Sequence, residues 1–226
     1  MEFLKNNWAK LTFIALALVA SVFSLIGMIN GFALAGLNID MEGANGYISS
    51  FSNGNGNGAN VFDAITETSQ GHLSAMIYLA IFIISLTLIA YLVMKMLGMD
   101  RRISSLVLIA GSILSTIMII VGIILGMDYL NTLSEATANG RYAYNEAREA
   151  YNAATGAQKE MLAPMVEMVR QMYIMTRYLF MTSIAWITIS LLTFGLFPLV
   201  VGLKKMCAAR EEGRGEVKKV KVEIAE

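Results

Sequence analysis

Thiols and imidazoles are almost missing from this chain, which has one cysteine and one histidine in 226 residues. A lone Cys207 has no second cysteine for a disulfide, so the segments between helices are not stapled. Two-histidine haem ligation, iron–sulfur clusters and histidine-based catalytic metal sites all need residues the chain does not supply. Neither a P-loop nor a dinucleotide fingerprint occurs; Gly54, Gly56 and Gly58 lie in a stretch without a flanking strand and helix. The expectation is therefore a protein with no cofactor, no catalytic residues and no nucleic-acid partner.

Charge is the second scarcity. Only 15% of residues are Asp, Glu, Lys or Arg, against 56% hydrophobic. A bilayer core about 30 Å thick takes roughly 20 apolar residues of helix. The stretches 8–37, 73–97, 103–127 and 178–203 meet that need, which predicts an all-α integral membrane protein built on a four-transmembrane-helix bundle. Lys5 and Lys10 before the first run, with "ALVAS" inside it, resemble a secretory signal. The run outlasts the 7–15 residues or so of a signal core, so a retained transmembrane helix is expected.

Ionisable side chains are also missing from the middle of every span: Lys10, Lys95, Asp128 and Arg177 stand at the edges. Charges at membrane depth usually mark proton relays, ion paths and voltage sensors. Their absence argues against those functions and against intramembrane hydrolysis, which would need a general acid or base.

Where the cations do fall sets the expected orientation. Lys95, Arg101 and Arg102 flank the turn between spans two and three, and Lys204, Lys205, Arg210, Arg214, Lys218, Lys219 and Lys221 follow span four. The connection 38–72 has no Lys or Arg at all. The positive-inside rule puts both termini and the 98–102 turn in the cytoplasm, most simply at a plasma membrane, with 38–72 and 128–177 outside. The expected organisation is a cytoplasmic end with span one over 1–37, an outer loop over 38–72, and spans two and three over 73–127. An outer helical hairpin over 128–177, span four over 178–203 and a basic cytoplasmic tail over 204–226 complete it.

The first outer connection contains "SSFSNGNGNGAN", which favours turns and offers too little apolar surface for a core. Asp40, Glu42, Asp63 and Glu67 lack the alternating spacing of a calcium loop, so solvated surface is expected. The second connection is rich in helix formers. Asn139-Gly140 predicts a helix stop, with span three running up to about Ala138 and a short helix over 141–154. Thr155 with Gln158 fits a capping box, while Pro164 predicts a kink or a start delayed to about Ala163. The hairpin thus extends spans three and four.

Methionine is abundant, and Met161, Met165, Met168, Met172 and Met175 step by four and three along one helix face. Such a stripe suits either an apolar seam of the hairpin or a partner contact, with Leu130, Leu133, Thr137, Tyr144 and Tyr151 as partners across the hairpin. Met165, Met168, Met172 and Met175 could instead offer thioethers to Cu(I). Without nearby imidazole or thiolate, packing is the expected role.

Small residues form rows inside the spans. Ala17, Ala20, Ser24, Gly27, Gly31 and Ala35 make one side of span one nearly smooth; span three pairs Gly111 with Ser115 and Gly122 with Gly126. In lipid such faces let helix backbones approach closely, within the bundle or between copies. Hydroxyls at depth include Ser85, Thr87, Ser112, Ser115, Thr116, Thr188, Ser190 and Thr193, and serine or threonine can bond to its own preceding turn. Asn30 needs a partner for its amide and could line an outer polar vestibule.

After span four, Pro198 and Gly202 predict a loosened helix. Lys204, Lys205, Lys218, Lys219 and Lys221 could meet anionic lipid headgroups; Val220, Val222 and Ile224 alternate as in a short strand, although a solvated, partly disordered tail is the expected reading. Cys207 beside lysines is either a small apolar residue or a lipidation site.

Two functions fit this pattern. The expected one is a non-catalytic structural or accessory subunit of a larger membrane assembly, packed against other subunits or copies of itself through smooth helix faces and an outer hairpin. The alternative is a homo-oligomeric channel or facilitator for a small solute or ion.

Overall fold

The computed structural model describes residues 2–36 and 68–225, with side chains over 7–32 and 70–211. All described elements are helical: α1 (Glu2–Gly36), α2 (Thr68–Met96), α3 (Arg101–Leu125), α4 (Met127–Ala153), α5 (Ala157–Ser190), a π-helical turn (Leu191–Leu196) and α6 (Phe197–Ala225). Four helical stretches are long and apolar enough to cross a membrane: Asn7–Phe32, Gln70–Met96, Arg101–Leu125 and Ala157–Glu211. The last is far longer than a bilayer requires, and its charge-free part is 178–203. The chain is thus a helical membrane protein with a four-transmembrane-helix bundle. The Asn/Gly-rich run and the carboxylates Asp40, Glu42, Asp63 and Glu67 lie outside the described residues, as does the side chain of Ala35.

The chain divides into two compact units, 1–29 with 74–122 and 188–226, and 30–73 with 123–187. In the first unit, α2 buries Ile77, Ala80, Ile84 and Tyr91 along one helical face. The buried side of α3 is Ser104, Ser105, Leu108, Ser112, Ser115, Ile119 and Gly122. The serines and the glycine leave room for neighbouring helices, and van der Waals contact then supplies the attraction that water-driven burial cannot supply in lipid. A Cβ on Gly27 would stand 2.7 Å from the Tyr78 ring, and one on Gly111 would overlap Thr87. One on Gly202 would lie 2.8 Å from Ile109 Cγ1 and 3.5 Å from the Ser105 carbonyl oxygen.

The α2–α3 turn is closed at both ends. Gly98 takes φ 71°, which glycine adopts without strain. Met99 N donates to Met94 O at 3.1 Å, satisfying a terminal carbonyl of α2. Asp100 caps α3, its Oδ1 accepting from Arg102 N at 2.9 Å.

Near the end of the fourth helical stretch, Phe197 N donates to Leu192 O, one residue farther back than an α-helix would use. Pro198 follows at once. The wider turn accommodates a ring that cannot donate and that would collide with the carbonyl four residues back. The predicted loosening therefore takes the form of a π turn, placed just before the proline. The strand-like alternation of Val220, Val222 and Ile224 is overruled, because α6 stays helical through Ala225.

In the second unit α4 and α5 form a helical hairpin. It corrects three expectations. α4 runs through Asn139-Gly140 without a stop, and Gly140 lies against Tyr173, whose Cα is an ordinary contact distance of 3.5 Å from where a Cβ would be. The interruption falls at Gly126 instead, with φ −93° and ψ 8°. The turn is Ala154 to Gly156, and Gly156 (φ 60°) supplies the carbonyl that accepts from Lys159 N at 3.0 Å. Pro164 is simply inside α5, which begins at Ala157 rather than near Ala163.

Candidate functional site

Two surfaces of the molecule have the makings of a working part: the hydroxyl-rich interior of the first unit and the methionine face of the hairpin.

Ser112, Ser115 and Ser190 are fully buried. A side chain bordering a water-filled passage would present area to a water-sized sphere, so these hydroxyls face packed neighbours. Most of the interior hydroxyls bond back to their own helix. Ser112 Oγ donates to Leu108 O at 2.6 Å, Thr116 Oγ1 to Ser112 O at 2.8 Å and Ser85 Oγ to Ile81 O at 2.7 Å. Ser115 Oγ instead crosses to Ala80 O on α2, at 3.1 Å. Thr116 also faces the π turn, where a Cβ on Gly195 would lie 2.6 Å from its Oγ1. Ser190 Oγ is buried and has no hydrogen-bond partner among the described residues.

The small residues of α1 divide. Ser24 and Gly31 are buried, Ala20 and Gly27 are half-buried, and Asn30 is exposed. On α3, Ser115 and Gly122 are buried and Gly111 meets Thr87; Gly126 is also buried, at the start of the hairpin. These close approaches are made within one chain.

The methionine stripe is not the hairpin's seam. Four of the five stripe residues are followed by a more buried one: Leu162, Val166, Val169 and Thr176 succeed Met161, Met165, Met168 and Met175, while Met172 and Tyr173 are both half-buried. One residue is a turn of about 100° on a helix, so the inward face of α5 is the neighbouring stripe. Val169 is 6% exposed, whereas Met161, Met165, Met168 and Met175 are 75%, 47%, 37% and 50% exposed. Sequence spacing identified the period but could not choose between adjacent stripes, since both are apolar.

What the hairpin buries from α4 is Tyr129, Leu133 and Ala136. Tyr144 stacks on Tyr173 with ring centroids 6.3 Å apart, and Lys159 Nζ lies 4.9 Å above the Tyr151 ring. The aromatic partners expected for the methionines are thus taken by Tyr173 and Lys159. On the outer side of α5, Glu167 accepts from Gln171 and Arg170, and these hydrogen bonds hold its carboxyl below the ordinary glutamate range.

No group of three or more His, Cys, Asp or Glu able to hold a metal ion occurs among the described residues. Cys207 is exposed. Comparison with known proteins finds no matching family model, no matching curated protein and no matching solved structure.

Proposed function

We propose that this protein is a non-catalytic structural or accessory subunit of a larger membrane assembly, joined through the methionine face of its outer hairpin. The observation that carries the reading is the outward turn of Met161, Met165, Met168 and Met175 on a helix whose seam is already filled. Flexible thioether side chains adapt to varied partner surfaces, and a contiguous apolar strip away from lipid marks an interaction site more often than ordinary surface. The cation distribution supports termini and the 98–102 turn in the cytoplasm and the hairpin outside, at a plasma membrane. Packed rather than open hydroxyls weigh against a channel through one chain.

Native mass spectrometry of the protein, extracted from its own membrane in mild detergent, tests the reading. A second protein in fixed ratio is expected, released when Met165→Glu and Met168→Glu are combined, with helical circular dichroism unchanged. Single-chain masses alone, or a partner retained by the double variant, would overturn the proposal. A closed ring of identical copies would replace it with the channel.

A further inference from the structure

At the end of the first unit that carries the α2–α3 turn, a cavity of about 600 Å³ opens between α2, α3 and α6. Its walls include Tyr91, Lys95, Arg101, Ser104 and Lys205, so three cations surround it against one carboxylate, Asp100. The carboxylate is engaged in capping α3 through Arg102 N. Lys95 lies in the last turn of α2. Lys205 is held at the cavity edge by Tyr91, to whose hydroxyl it donates and over whose ring Nζ lies 4.7 Å from the centroid. Tyr91 itself is 7% exposed, so the lysine is anchored to a fixed part of the bundle.

We infer that this cavity binds a phosphate group, presented by the headgroup of an anionic membrane lipid. Positions fit: the cations stand where charge-free helix gives way to charged sequence, at headgroup level for a spanning bundle. Chemistry fits as well, because lysine and arginine donors arranged around a concavity match a phosphate's several acceptor oxygens. Having accepted from Lys205, the Tyr91 hydroxyl still has its own proton to donate. A volume of this size suits a headgroup rather than a bare ion. The helix N-terminus contributes little, since Asp100 already occupies it. This site is independent of the methionine face and of any assembly.

The test uses the full chain in nanodiscs of phosphatidylcholine with and without phosphatidic acid, reading retained lipid by native mass spectrometry. Wild type is expected to retain phosphatidic acid in preference to phosphatidylcholine. Lys95→Met and Lys205→Met should each weaken retention about fivefold, and Lys204→Met, outside the cavity, should not. Lys95→Met keeps the test open if loss of the Tyr91 contact unfolds the Lys205 variant. Inorganic phosphate added to phosphatidylcholine discs distinguishes sources: tight binding that needs Lys95 would keep the phosphate site but overturn the lipid assignment. Equal retention of both lipids without phosphate binding, or equal losses in the Lys204 and Lys95 variants, would overturn the site.

Discussion

The hydroxyl of Ser115 reaches across from α3 to the main-chain carbonyl of Ala80 on α2, at 3.1 Å. One helical turn before it on the same side, Gly111 lies against Thr87. A hydrogen bond between helices and a glycine that makes room for the Thr87 side chain thus secure the same pair.

Their contributions should be unequal. Ser115→Ala is expected to lose about 0.6 kcal/mol, the usual scale for a hydrogen bond between membrane helices. Gly111→Ala should lose about 1–3 kcal/mol by overpacking, because a Cβ there meets the Thr87 Cβ at 2.7 Å as well as its branches. Adding Thr87→Ala should recover part of the second loss. Reversible unfolding in mixed micelles measures all three; an unaffected Gly111→Ala would refute the close approach.

Gly140 gives a test of opposite sign. Its backbone is not among the positive-φ glycines, and a Cβ would meet Tyr173 at an ordinary 3.5 Å. Gly140→Ala should therefore stabilise the hairpin by about 0.5–1 kcal/mol through helix propensity. Gly140→Leu should separate the helices and destabilise. If alanine lowers the melting temperature, α4 does not run straight through.

Ser190 holds a buried hydroxyl without a partner among the described residues. Leaving such a group unsatisfied costs about 1–3 kcal/mol. Ser190→Ala is expected to raise stability, in contrast to Ser115→Ala. A fall in stability would mean that the hydroxyl is bonded after all.

Glu167 should respond to pH in one direction only. Gln171 first, and then Arg170, lower its carboxyl pKa in the folded hairpin. The contacts therefore contribute above the unfolded glutamate range and are lost as pH falls through the lowered folded value. Carboxyl carbon titration by NMR should show Glu167 below an unfolded reference, and Gln171→Leu should move it up. Because the side chains are about half exposed, the effect on stability should be too small to shift the melting curve noticeably. A wild-type midpoint at the reference value would rule out the contacts.

Much of the architecture was legible before any coordinates. Runs of apolar residues long enough for a bilayer announce themselves, because water and lipid impose the same requirement on every spanning helix. The small residues Gly27, Gly111 and Ser115 also stand out, since few other reasons place them in rows within lipid. What they touch was not legible: Tyr78, Thr87 and Ala80 lie tens of residues away, and spacing on one helix carries no information about its neighbour.

Local signals misled where two physical causes share one residue type. Glycine ends helices and also lets helices touch: at Gly111 a Cβ would overlap Thr87, whereas at Gly140 the helix continues with room for a Cβ. The methionine period was correct as a helix face, yet Val169 and Thr176, one residue on from Met168 and Met175, take the inward side. By itself the sequence determined that the chain is helical, where it can cross a membrane and which segments carry charge, because those follow from composition and period. Only the tertiary structure decided which apolar stripe is buried, where the hairpin turns and that Lys95, Arg101 and Lys205 border one cavity. Those depend on which helices become neighbours, a choice made by packing between distant segments.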